Sequence, residues 1–255
     1  MRTLGGQLPL ALAVTLALGA GAARAQDLSA SYEGAPVRFG QGEAHTVVRT
    51  DADGKPVSIG IVFSESALAG LPAGDKDMAP AYQLAMPSSG PQTVVDHVVI
   101  NWEGHGHPPP GVYDVPHFDF HFYLVSPALR QQVAFGNEGE SGDPRQQPPA
   151  ALLPAGYVVP PGTAVPQMGV HAVNPAAPEF QQQPFTATFI YGYHNQQQTF
   201  VEPMVALSFL QSKPSFSAAV ARPASYGKAG VYPASYSVTY DAAKLRYEVA
   251  LQDLR

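Results

Sequence analysis

The chain has 255 residues, no cysteine and a formal charge of −6, with 26 prolines and 24 glycines. That composition excludes disulfides, thiolate metal sites and cysteine nucleophiles. The acidic balance argues against nucleic acid or an anionic membrane surface as partner, since both need a basic footprint. A low charged fraction with so much proline and glycine points to a loop-rich β protein.

Arg2 precedes an apolar run at 8–20, and Ala23-Arg24-Ala25 follows as a small-x-small cleavage site. This is the layout of a secretory signal peptide over residues 1–25, with Gln26 opening the mature chain. The run is too short for an anchor, which takes about 20 apolar residues, so no membrane insertion is expected. Losing Arg2 and Arg24 leaves 12 basic and 20 acidic residues, a formal charge of −8. The expectation is a periplasmic or secreted protein whose residues 26–255 make one β-rich domain.

Residues 43–50 and 55–63 read as strands joined at Asp51-Ala52-Asp53-Gly54, a strong hairpin signal. Residues 64–71 suit one or two helical turns behind Ser64. A strand over 93–102 places Val95, His97, Val99 and Asn101 on one face. After a loop of glycine, histidine and proline, 117–125 reads as the next strand. The stretch 137–184 is irregular, densest in proline, glycine and glutamine up to 166, and is read as a long surface loop rather than a domain linker. Residues 185–193 with 199–210, and 235–240 with 245–251, make two further hairpins. The expected fold is all-β and antiparallel: a sandwich, jelly roll or partly closed barrel with long proline-rich loops.

Half of the eight histidines fall between His105 and His121. From His117 onward the sequence alternates. Phe118, Phe120 and Phe122 share one face, which is core by its aromatic area. His117, Asp119 and His121 share the other, and imidazoles flanking a carboxylate on a rigid strand suit a metal or an acid/base network. A strand rises about 3.3 Å per residue, so His117 and His121 lie roughly 13 Å apart at Cα. Further ligands must therefore come from elsewhere. The candidates are His107 in the preceding loop, His171 after Gly169, and Glu202 in an otherwise apolar strand, where a carboxylate is rarely buried without a partner. The reading gathers His107, His117, His121, His171 and Glu202 in one coordination sphere, with Asp119 as ligand or supporting carboxylate. His45, His97 and His194 are read as structural. G-x-S-x-G, G-x-G-x-x-G, P-loop and H-E-x-x-H motifs are absent.

The run Trp102…Gly106-His107-Pro108-Pro109…Tyr113…Pro116-His117-Phe118-Asp119-Phe120-His121-Phe122-Tyr123 resembles a family of exported bacterial proteins of unknown function. So do Met168-Gly169-Val170-His171, Phe189-Ile190-Tyr191-Gly192 and Glu202-Pro203-Met204. The resemblance implies membership of that family and no particular activity. A looser resemblance is to cupins, small barrels that hold a metal with three histidines and a glutamate. A cupin spaces its first two histidines two apart, whereas His117 and His121 are four apart and His171 precedes Glu202.

The function expected is that of an exported metal-binding β protein with a His/carboxylate centre, up to a metalloenzyme of unknown substrate. Imidazole and carboxylate donors suit Zn, Mn, Fe or Cu. The alternative is a non-catalytic, homo-oligomeric binding or structural protein whose His-Asp-His face is a buried hydrogen-bond network. No small-molecule ligand is identified.

Overall fold

A computed structural model of the chain describes residues 28–73 and 80–255. The expected signal peptide and its cleavage site lie outside the described residues. The strands in chain order are β1 (Ala30–Glu33), β2 (Val37–Phe39), β3 (Gly42–Thr50), β4 (Pro56–Ser64), β5 (Ala81–Ala85), β6 (His97–Glu103) and β7 (His117–Tyr123). There follow β8 (Ala164–Val165), β9 (Gly169–Ala172), β10 (Ala187–His194), β11 (Gln197–Ala206), β12 (Ser215–Ala219), β13 (Ser235–Asp241) and β14 (Arg246–Gln252).

They form two antiparallel sheets of seven strands, one of them curled into a half-barrel. The first runs β1-β3-β4-β14-β13-β12, with β2 added to β3; the second runs β5-β6-β7-β11-β10-β9-β8. The core lies between the two. Phe63 of the first sheet stacks on Phe120 of the second at 5.9 Å between ring centroids, and Phe39 meets Phe118 edge-on at 5.6 Å. Phe118, Phe120 and Phe122 are fully buried there, which is why the alternation of β7 cannot slip by one residue without exchanging its faces.

The three hairpins expected from turn chemistry are present, and the first closes at residues 51–54 with Gly54 at φ 76°. Two boundaries move. β6 begins at His97 rather than near 93, because the preceding backbone is tied elsewhere: the Val94 carbonyl accepts from Lys228 Nζ at 2.9 Å. β11 ends at Ala206 rather than near 210, and Leu207–Gln211 form a short helix. Leu207 and Leu210 both pack toward the core, a helical spacing that alternation does not capture.

The irregular stretch 137–184 is pinned to the second sheet rather than loose. The Tyr157 hydroxyl donates to the Phe189 carbonyl and the Tyr193 hydroxyl to that of Leu152, each at 2.7 Å. It also contains β8 and β9, too short for a periodic pattern to reveal. Among the described residues no helix is long and apolar enough to cross a membrane.

Candidate metal centre

All seven residues of β7 are buried, the polar face included. The chain covers that face with its own loops. Tyr113, Phe180 and Phe185 close over Ile190 and Met204, while Met168 and Val125 close over Val99, Tyr123 and Phe200. His117, Asp119 and His121 therefore sit in a roofed compartment on the side of the sheet away from the main core.

Sheet register brings the remaining candidates to this strand. Val201 pairs with Phe122 and Met204 with Asp119, which sets Glu202 directly across from His121. On its other side Glu202 pairs with Ile190. His171 of β9 pairs with Gly192 of β10, which in turn pairs with Phe200. Gly192 has no side chain to block this row. The Phe200 ring lies across it so closely that a Cβ there would stand 2.0 Å from a ring carbon. The same ring is flanked by His121 at 4.7 Å and His171 at 5.2 Å, and those two imidazoles are 6.5 Å apart by centroid.

The six candidate residues form two groups of three rather than one set. In each group the possible ligand atoms lie within 4.8 Å of one another: His121, His171 and Glu202 in the first, His107, His117 and Asp119 in the second. Ligands at about 2.0–2.2 Å from an ion cannot be much farther apart than this. Two groups arise because β7 is extended. His117 and His121 cannot both bend to one point, so each recruits its own neighbours.

In the inner group His121 Nε2 stands 3.5 Å from Glu202 Oε2. Neither nitrogen of His121 has a hydrogen-bond partner, nor does Glu202 Oε2, although all are buried. His171 Nδ1–H donates to the Thr163 carbonyl at 2.9 Å, which leaves Nε2 as its free lone pair. Burial pushes His121 down to about 3, against a smaller upward pull from Asp119. Burial also lowers His171, and it raises Glu202 well above the carboxylate range, assisted by the charges of Asp119 and Glu103. Burial thus disfavours the charged form of all three members.

In the outer group Asp119 is shared. His117 Nε2 lies 3.2 Å from its Oδ1 and His107 Nε2 3.5 Å from its Oδ2. Both imidazoles are turned by backbone carbonyls: His117 Nδ1–H donates to Val115 and His107 Nδ1–H to Pro108, each at 2.7 Å. Burial alone would raise Asp119, yet His117 and His107 together hold it well below the usual carboxylate range. Burial likewise disfavours the charged form of His107, but the Asp119 hydrogen bond and charge prevail and lift it to about 9. The His107 side chain is 33% exposed and that of His117 not at all, so the group opens to solvent on the His107 side.

Several polar neighbours were not singled out as site residues. Asn101 pairs with Asp119 and Glu103 with His117, both continuing the face of β6 that carries His97. The alternation of that strand could have found them. Glu179 lies in a short turn at Pro178–Gln181, is buried, and accepts from the Tyr113 hydroxyl at 3.2 Å. Nothing periodic marks it. Burial, then the charges of Glu179, Glu202 and Asp119, raise Tyr113 beyond the tyrosine range, so it stays a protonated donor beside the compartment. His97 bonds Asp96 at 3.1 Å and stacks on Tyr123 at 4.8 Å.

Compared with known proteins, residues 51–102 match the model of a family described as TTHB210-like, after hypothetical protein TTHB210. The match runs from the turn after β3 to the Trp102 position of β6 and stops short of β7, so the six candidate ligands lie beyond it. No curated protein and no solved structure matches the chain.

Proposed function

We propose that this is an exported metal-binding protein whose resident divalent transition ion is held by His121, His171 and Glu202. One observation carries the reading: three donor groups of a common metal-ligand set converge within 4.8 Å, His121 and Glu202 buried and His171 partly so. Buried polar atoms without partners cost about 1–3 kcal/mol each, and His121 and Glu202 contribute three of them. A cation accepting the lone pairs of one His121 nitrogen and of Glu202 Oε2 removes two of these penalties. The Thr163 carbonyl behind His171 does what carbonyls behind metal-binding histidines do, fixing tautomer and ring direction. Two imidazoles and a carboxylate suit Zn, Mn, Fe or Cu, and three protein ligands leave positions for water or a substrate, as in catalytic sites.

Elemental analysis of protein purified without a chelator or histidine tag tests the reading. A transition metal should be present in the wild type, and His171→Ala should lose the ion this site holds. A wild type that carries no metal, and gains no thermal stability from added Zn, Mn, Fe or Cu, would sink the proposal and favour a buried hydrogen-bond network.

A further inference from the structure

We propose that His107, His117 and Asp119 hold a second divalent transition ion, making the compartment a two-ion centre; this rests on the reading of the inner group just given. The donor atoms lie within 4.8 Å of one another. Their arrangement is not that of a finished ion pair. His117 Nε2 and Asp119 Oδ1 are 3.2 Å apart and both buried, yet they lack the alignment of a hydrogen bond. At that separation both atoms can stand about 2.0–2.2 Å from one ion lying off the line between them.

The tautomers argue the same way. A carbonyl oxygen only accepts, so Pro108 and Val115 draw the proton of each neutral imidazole to Nδ1. With the Nε2 proton of His107 released, which binding a cation requires, both rings would turn an Nε2 lone pair toward the same carboxylate. One loop does all of this. It supplies His107, both carbonyls, and a backbone bond from His107 N to the Tyr113 carbonyl at 3.0 Å that ties it back. Gly106, at φ 69°, permits that closure, since a Cβ there would stand 2.2 Å from the Tyr113 carbonyl oxygen.

Charge and access fit a cation. Glu103, cross-strand from His117, adds a second carboxylate to the Asp119 end of the compartment. The partly exposed His107 gives the ion a way in from solvent. Asp119 and His121 are two residues apart on one face of β7, so the two ions would be neighbours, about 6–7 Å apart in strand rise.

The experiment titrates metal-free, untagged protein with Co(II), following visible absorption and bound cobalt per folded chain. The wild type should take two ions. His107→Ala and His117→Ala should each keep one and weaken the other event at least about 100-fold, as loss of a ligand exceeds loss of its supporting bond. His171→Ala should keep one ion, the other one. A wild type that binds a single ion, lost in His171→Ala and retained in His107→Ala, overturns the second site and leaves the inner assignment standing. Two ions that both survive His107→Ala and His117→Ala also overturn it. No cobalt bound to the wild type overturns both assignments. A wild type that takes fewer than two ions overturns the proposal whatever the variants do, so a variant that fails to fold does not rescue it.

Discussion

Asp119 and Glu202 are carboxylates on adjacent strands, each buried and each beside two imidazoles, yet their pKa values move in opposite directions. Burial raises both. At Asp119 the close approach of His117 and His107 outweighs it. At Glu202 the nearest charges are other carboxylates, and its own histidines are lowered by burial and carry no compensating charge. Similar donor sets, two imidazoles and a carboxylate, thus differ in their electrostatics: His117 and His107 hold Asp119 charged, whereas burial disfavours charge on His121, His171 and Glu202. The lesson is that donor type defines what a group can bind, while burial and neighbours define what it must release to bind it.

The largest expected effect separates these states without metal. Asp119→Asn in metal-free protein removes one side of a buried charge pair and should cost about 3–5 kcal/mol in denaturant unfolding. A loss under about 1 kcal/mol would show that the outer group is not ion-paired. Next is stabilisation by metal. At a free concentration of about 100 Kd, one ion should add about 2.7 kcal/mol to the wild type and nothing through the inner site of His171→Ala. Equal stabilisation of both proteins would remove the inner group from the account.

Glu202→Gln should be the mild counterpart of Asp119→Asn. A carboxyl that is already neutral is replaced by a neutral group of the same shape, so the metal-free protein should lose less than about 1 kcal/mol. A loss comparable to that of Asp119→Asn would mean that Glu202 is ionised and the contrast is false. The finest test is proton by proton. Ring resonances of the metal-free protein should place His107 near 9 and His121 near 3. Relative to 6.5 for a free histidine, His107 is raised, so its contribution to stability is complete below 6.5 and is lost as pH rises through 9. His121 is depressed, so its contribution is complete above 6.5 and is lost as pH falls toward 3. Both rings titrating near 6.5 would erase the distinction between the groups.

The strands and their faces were legible because alternation is local. Val57 to Phe63, the phenylalanines of β7 and the turn at Asp53-Gly54 each announce themselves within a few residues. The candidate ligands were legible for a related reason: a carboxylate or imidazole inside an apolar run is expensive to bury, and Glu202 and His121 stand out against their own strands. β1, β2 and β5 were not legible, since three to five residues with one side half-exposed carry too little pattern. Nor was Glu179, whose burial depends on Tyr113 reaching it from a loop 66 residues away in sequence.

Sequence alone determined the donor chemistry, the absence of thiols and the opposition of a phenylalanine face to a histidine face on β7. Only the tertiary structure decided that six donors make two groups of three, because that division depends on register between β7 and β11, on Gly192 leaving room for Phe200, and on which carbonyls of the 104–116 loop turn His107 and His117. Those are long-range contacts. A strand spaces its own side chains too widely to gather an ion, so the partners of each histidine come from whichever strands and loops the fold lays beside it.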